Sequence, residues 1–334
     1  MRSDTVPPAW FALAALLACG VGLLVGPQGS LSPGQSLDLL AQWLASPDGG
    51  DDLARDILFN VRLPRVVVGF LVGAALAASG SALQAIARNP LVAPDIAGIS
   101  SGAAFGAALA LTTNWLPVQA SAFAFGLLAA LATYLLASRR QRLSTVALVL
   151  AGVVVGGMFT ALLAILQALS DPLSLQSIVL WTLGNLHHAT WSGAEALALP
   201  LAVSFALLWR WRWRLNVLAL GDDEAYAVGL DPRRHKPWVL AAAVLAASAS
   251  VAVAGVIALV GLIVPHAVRQ LVGADNRRLV PAAALAGGAF LVLVDALARA
   301  AAPIELPIGI YTTLVGGPIL LVLLRTGKLR QRED

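Results

Sequence analysis

Residues 62–106 read RLPRVVVGFLVGAALAASGSALQAIARNPLVAPDIAGISSGAAFG, and this stretch decides the fold. From Val66 to Ala87 no side chain carries a charge, a run long enough to cross the hydrocarbon core of a bilayer as a helix. Arg88-Asn89-Pro90 stops it, because proline lacks an amide hydrogen and pushes the residue before it out of helical geometry. Pro94-Asp95 repeats the interruption before a second apolar run begins. Gly69 and Gly73 lie four apart, as do Gly98, Gly102 and Gly106, so each set forms a smooth stripe where another helix can approach closely. Ser79, Ser81 and Gln84 are costly against lipid and face either a protein neighbour, as glue between helices, or a wet pathway.

Composition sets the class. The chain has 334 residues, 59% hydrophobic and only 12% charged, with a mean hydropathy of +0.82. A soluble domain carries about 25% charged residues, so this is an integral membrane protein. Cys19 is the single cysteine, which excludes an internal disulfide and a cysteine-based metal site. A pI near 9.8 raises nucleic acid as a partner, but the basic residues follow the membrane instead. Residues 9–26 are too long and too glycine-punctuated for a cleaved signal peptide.

Apolar runs of spanning length fall at about 9–27, 66–87, 96–113, 117–137, 143–169, 194–209, 237–254, 255–272, 281–302 and 307–324. No charge separates 237–254 from 255–272; Gly255 divides them, and the combined run is too long for one crossing even with tilt. About ten spans put both termini on one side. Of the 22 Lys and Arg residues, all but Arg55, Arg62, Arg65 and Arg299 then share that side, which the positive-inside rule makes cytoplasmic.

The outer loop 28–59 is polar, with one short helix expected over 35–44. The segment 170–192 contains DPLSLQSIVLWTLGNLHHATW, which is amphipathic and expected at the outer interface with Trp181 and Trp191 at headgroup level. The inner connection 210–236 reads RWRWRLNVLALGDDEAYAVGLDPRRHK. Its alternating Arg and Trp suit an interfacial anchor facing anionic lipid. Asp222, Asp223 and Glu224 favour a helix start, Gly229 a helix end and Asp231-Pro232 the next start, so 218–230 reads as one or two short helices outside the membrane. SGSALQAIARNPLV faintly echoes AGVIALVGLIVPHAV further on, as inverted halves of an importer would.

The run R-L-P-R, then G-A-A-L-A-x-S-G-x-x-L-Q, then R-N-P-L-x-x-P-D-x-x-G-x-S-x-G-A, beginning at Arg62, Gly73 and Arg88, resembles the FecCD-type permeases. These are the membrane subunits of ABC importers for ferric siderophores, haem and cobalamin. The resemblance implies an all-α, BtuC-like type II importer fold of about ten transmembrane helices with cytoplasmic termini. It also implies one permease domain over 1–334, with a cytoplasmic coupling loop at 215–236 and a periplasmic interfacial segment at 170–192. The implied setting is the bacterial inner membrane, and the implied partners are a second copy of the chain, a periplasmic binding protein and a cytoplasmic ATPase dimer, with no nucleic acid. No cofactor is implied for this chain; ATP and magnesium are used by the partner ATPase.

The chain contains no G-x-x-x-x-G-K-[ST] phosphate loop, Gly327-Lys328 being followed by leucine, so energy for uphill transport must come from a partner. A-L-G followed by A-x-x-x-G-L matches the family's coupling loop and assigns Leu218, Ala219, Leu220, Gly221, Ala225, Gly229 and Leu230 to ATPase contact. In the matching R-L-P-R and D-x-x-x-R contexts, Arg62, Arg65 and Arg299 receive acidic side chains of the binding protein, a task suited to guanidinium forks. The alternative is an intramolecular pair of Arg299 with Asp295, one turn away.

The resemblance runs the pathway past Gln84, Asn89 and Pro90 and narrows it at Ser144, Thr145 and Val146. Val146 departs from a second hydroxyl, which weakens the gate's chemistry and not its place; Thr145 can instead bond a carbonyl one turn back. His187-His188 either meets an iron chelate in transit or is a solvated pair. Val264-Pro265-His266 with Arg269 recurs in the family as V-P-H-x-x-R, a hinge or a packed hydrogen-bonding site. Glu305 reads as structural, and no paired carboxylates, catalytic triad or metal-spaced histidines argue for an enzyme. The sequence therefore reads as a homodimeric permease importing a ferric siderophore or haem, with cobalamin as the alternative. An ion-coupled secondary transporter is the rival, and its acid would be Asp295.

Overall fold

A computed structural model of the chain describes residues 6–26, 32–45, 52–114, 116–139, 142–143, 145–301 and 306–330. It begins with α1 (Pro8–Leu24), α2 (Pro33–Ala45) and α3 (Asp52–Asp56), then a π-helical turn (Ile57–Arg62) that runs straight into α4 (Leu63–Ala87). A 3-10 turn (Pro94–Ala97) precedes α5 (Ile99–Thr113) and α6 (Val118–Ala137). The short strands β1 (Ser138–Arg139) and β2 (Arg142–Leu143) pair antiparallel before α7 (Thr145–Leu169). Next come α8 (Pro172–Thr182), α9 (Trp191–Leu220), α10 (Asp222–Ala227), α11 (Pro232–Ala254), α12 (Val260–Val272), α13 (Asn276–Ala301) and α14 (Ile308–Arg330).

The expected spans map onto α1, α4, α5, α6, α7, α9, α11, α12, α13 and α14. Six of them lie in helices long and apolar enough to cross a membrane, and four are apolar but shorter. The protein is thus an all-helical membrane protein with about ten spans. The helix expected over 35–44 lies within α2.

Helix α4 is the centre of the bundle. It is buried along nearly its whole length, against α13, α11, α9 and α12, which is why its sequence is apolar and small-sided all round. Gly73 and Gly287 meet backbone to backbone, and a Cβ on either would fall inside the other's carbonyl. The stripe of Gly102 and Gly106 faces α6 in the same way, against the carbonyls of Phe125 and Ser121. Gly98 does not share that stripe. It precedes α5 with φ +72° and lies beside Gly152 and Gly156 of α7, because the turn before α5 needs a left-handed residue there.

The break expected at Arg88 is a helix cap. Arg88 takes φ +52°, its N–H reaches the Ala85 carbonyl at 3.2 Å, and the Asn89 N–H reaches Gln84 at 3.2 Å. A second break lies between α11 and α12. Residues 255–258 are non-helical, with Gly255 at φ +70° and Leu259 at φ +69°. Irregular backbone inside a membrane protein must find polar partners. Here Asn185 N–H donates to the Ala254 carbonyl at 2.8 Å, and the Ile308 and Gly309 N–H groups reach the Gly184 and Leu183 carbonyls at 3.0 and 3.1 Å. The segment after α8 therefore does more than lie on a surface, since Gly184 and Leu186 are buried as a plug beside this break.

One sequence expectation is corrected by α9. The Arg and Trp alternation lies within a helix that continues through Leu220, since nothing in it breaks a helix before Gly221 at φ +151°. Leu218 and Leu220 consequently belong to α9, and one short helix, α10, follows.

Candidate functional site

The bundle holds two polar constellations, one at each end of α4. At the end with the fewest basic residues, Arg65 of α4 grips Asp295 of α13 with Nε at 3.0 and 3.1 Å from the two carboxylate oxygens and Nη2 at 2.9 Å from Oδ1. Arg299 places its Nε 3.0 Å from the other side of the same carboxylate. The remaining guanidinium nitrogens close the C-terminus of α1. Arg62 Nη1 donates to the carbonyls of Leu23 and Leu24 at 3.1 and 3.3 Å and to Ser36 Oγ at 2.8 Å. Arg299 Nη2 donates to Gly22 at 2.9 Å, and Nη1 reaches the Val25 carbonyl. With Val25 N–H on Val21, each carbonyl of the last turn of α1 has a partner. Cations at a helix C-terminus also oppose its dipole.

Arg62 and Arg299 are only 2% and 1% exposed. The expectation that they face an external partner therefore meets buried side chains already engaged inside the chain, and the pair of Arg299 with Asp295 is present. Arg65 alone keeps an edge, 11% of its side chain being exposed.

At the other end of α4, Gln84 joins the V-P-H-x-x-R segment. Its Nε2 donates to the Leu262 carbonyl at 3.3 Å, and Arg269 Nη2 donates to its Oε1 at 2.9 Å. Pro265 has no N–H to give the Gly261 carbonyl, and that carbonyl points at Gly80, where a Cβ would collide with it. The two sequence-echo segments thus pack on each other through a glycine pair. Ser79 is buried, and Ser81 Oγ bonds back to the Ala78 carbonyl at 2.8 Å. Asn89 Oδ1 accepts the Leu91 N–H at 2.9 Å to shape the turn at Pro90, which is exposed. Val146 is exposed at the start of α7; Ser144 and the side chain of Thr145 lie outside the described residues, as does Glu305.

Beyond this latch lies the coupling segment. Lys236 of α11, itself buried, reaches Asp222 of α10 at 2.6 Å. Tyr226 OH donates to Asp231 Oδ1 at 3.0 Å, and Asp231 caps α11 by accepting Arg233 N–H at 2.9 Å. Burial works against the Asp231 carboxylate, but the Tyr226 and Arg233 hydrogen bonds and the Arg234 and Arg233 charges outweigh it and hold its pKa below the usual value. Ala225 and Leu218 are buried and seat the segment; Ala219 and Leu230 are half-buried; Leu220, Tyr226, Val228 and Gly229 are exposed. Arg88 Nη1 lies beside Gly221, so the end of α4 touches the turn before α10. Sequence reasoning did not assign this contact, and a charged residue in the left-handed cap was its one trace.

His187 and His188 sit in a turn after the plug, His187 half-buried with its N–H 2.5 Å from Asn185 Oδ1 and His188 exposed. Among the described residues no group of three His, Cys, Asp or Glu side chains is placed to hold a metal ion.

A helical bundle with broken helices, glycine-packed spans and a short helix presented at the basic end is the architecture of a membrane transport subunit. The model of the FecCD transport family matches residues 13–326, and the chain belongs to that family of ABC importer permeases. It is 42% identical over 285 residues to the cobalamin import system permease protein BtuC of Halobacterium salinarum, covering 84% of this chain and 77% of that one. It is 38% identical over 310 residues to the hemin transport system permease protein HmuU of Yersinia pestis, covering 90% of each. Among solved structures, one described as an inward-facing metal-chelate type ABC transporter superposes with a TM-score of 0.83 at 34% identity, covering 96% of this chain and 98% of that one.

Proposed function

We propose that the chain is the membrane subunit of an importer that brings an iron chelate, a ferric siderophore or haem, inward across the bacterial inner membrane. Two copies form the conduit, a binding protein delivers the cargo from outside, and a pair of cytoplasmic ATPases, using ATP and magnesium, drives the cycle at residues 215–236. The observation that carries this reading is the coupling segment itself. Helix α10 is exposed on one side, is tied to α11 by Lys236–Asp222 and Tyr226–Asp231, and is reached from α4 by Arg88. A push on Val228 and Tyr226 is then passed to the central helix and through Gln84–Arg269 to α12. Gln84, Asn89 and Pro90 lie on this route, and we assign the narrowing of the pathway to Ser144, Thr145 and Val146.

Three observations support the cargo class: the P-D-x-x-G turn at Pro94, the similarity to the hemin permease of Yersinia pestis, and the similarity to a metal-chelate type transporter. Cobalamin is the second reading, favoured by the BtuC relative. The acid that a secondary-transporter reading would need, Asp295, is already paired with Arg65 and Arg299 inside the chain. His187 and His188 stand at the outer mouth as candidate cargo contacts. Replacing both with alanine should lower uptake of the chelate if they touch it; unchanged uptake removes that assignment.

At the outer face, Arg65 is the arginine still able to reach an acidic side chain of a binding protein, while Arg62 and Arg299 hold the mouth in shape. The single change Arg65→Gln keeps Asp295 paired with Arg299 and removes the cation at the exposed edge. It should leave the chain folded and abolish capture of the binding protein in a pulldown; retained capture takes docking away from Arg65.

A further inference from the structure

We propose that the chain carries a built site for an anionic phospholipid at the basic face of the membrane, between α9 and α13. A groove of about 480 Å³ runs between these helices, lined by Phe205 and Trp209 on one side and Val280, Pro281, Ala284 and Leu285 on the other. Its walls are almost wholly apolar and belong to two membrane spans, so the groove suits hydrocarbon. One turn further toward the basic end, the helical repeat places Arg212 and Trp213 on α9 and Arg277 on α13, at the groove's mouth.

The side chains at this mouth are arranged rather than scattered. The Arg212 guanidinium lies 3.9 Å from the Trp209 ring centroid, with Nη1 donating to the Trp209 carbonyl at 2.6 Å. The Arg277 guanidinium lies 5.5 Å from the Trp213 ring centroid. Stacking on an indole fixes a guanidinium's plane and leaves its edge donors for an oxyanion. Among the described residues neither Arg212 nor Arg277 is within 4.0 Å of a carboxylate oxygen, while the Arg277 charge acts at longer range on Asp275. The acid beside them, Asp275, takes the Arg277 backbone N–H at 2.9 Å and the Asn216 amide at 2.7 Å. Two guanidiniums from two helices thus stand over an apolar groove at headgroup level, the charge and shape complement of a phosphodiester with its acyl chain below. An occupant would brace α9 against α13 next to Asn216, whose amide oxygen accepts the Asn276 N–H at 2.7 Å, one turn before α9 ends.

The test is lipid retention by the full-length chain in detergent, read by native mass spectrometry after titration with phosphatidylglycerol or phosphatidylcholine of matched acyl chains. The native chain should retain phosphatidylglycerol preferentially. The double variant Arg212→Gln, Arg277→Gln should lower that retention roughly tenfold or more. Ala284→Trp, which fills the groove, should lower retention of both lipids. The pair Arg233→Gln, Arg234→Gln, basic and exposed elsewhere on the same face, should change nothing. Equal retention of the two lipids by the native chain overturns the proposal, and so does an equal loss in both double variants, which would mean diffuse surface charge. Loss of the dimer in Ala284→Trp with lipid retention unchanged gives the groove to a second copy and also overturns it. If Ala284→Trp does not fold, the two arginine pairs decide.

Discussion

Single residues carry the sharpest consequences where charge or backbone is buried. Among the described residues Asp295 is the carboxylate that pairs with both Arg65 and Arg299, so removing it takes a shared counter-charge from a largely buried cluster. Asp295→Ala should destabilise the protein by roughly 3–5 kcal/mol, measured as a shift of the thermal unfolding transition in detergent. A transition within a degree of the native one would mean that the cluster is screened by water. Gly80 makes the same point without charge. Gly80→Val should abolish packing of α12 and lower the yield of monodisperse protein, because the freed carbonyl of Gly261 occupies the space; Gly157→Ala, with nothing within 4 Å of its Cβ, should be neutral. Neither site was fully legible beforehand. Arg299 and Asp295 are four apart and visible as a pair, whereas Arg65 is 230 positions from Asp295 and the carbonyls of α1 carry no side-chain signal at all. Partners distant in the chain leave only unpaired charges in a sequence, and such charges read equally well as a docking surface.

Among the elements, α10 is the one on which the proposed ATPase would act. Lys236→Met removes the buried end of the tie between α11 and α10, and should uncouple cargo-stimulated ATP hydrolysis from the permease while leaving thermal stability nearly unchanged. Stimulation that persists in Lys236→Met would place the contact elsewhere. The same corner should respond to acid. The Asp231 pKa is depressed in the folded chain, so its contribution is present above the ordinary carboxylate pKa and is lost as pH falls through the folded value. Hydrogen-exchange protection over residues 226–234, taken relative to the intrinsic rate at each pH, should therefore fall on acidification below the ordinary carboxylate range, ahead of the rest of α11. Helix α10 could be anticipated, since three acids at its start and a glycine after its end are local signals. The extension of α9 through the Arg and Trp run could not, because those residues are as compatible with a helix as with an interfacial anchor.

For the whole molecule, hydropathy and charge located about ten spans, because a charge-free run is a local property, but placed the end of α9 eleven residues short of Leu220. What holds the spans together is not local. The end of α11 at the break is met by the Asn185 N–H from the segment before α9, and the neighbouring Gly184 carbonyl takes the Ile308 N–H; those backbone bonds have no sequence signature beyond Gly255 and Gly184. One continuous polar and glycine-packed route links the Arg65–Asp295 cluster, α4, the Gln84–Arg269 latch and α10. The central claim is that this route is passive until a separate ATPase acts on α10. It is tested most directly by uptake of a labelled ferric chelate into proteoliposomes containing the chain and its binding protein, with and without the partner ATPase and ATP. Accumulation should occur only when both ATPase and ATP are present; accumulation against a gradient without the ATPase would contradict the claim.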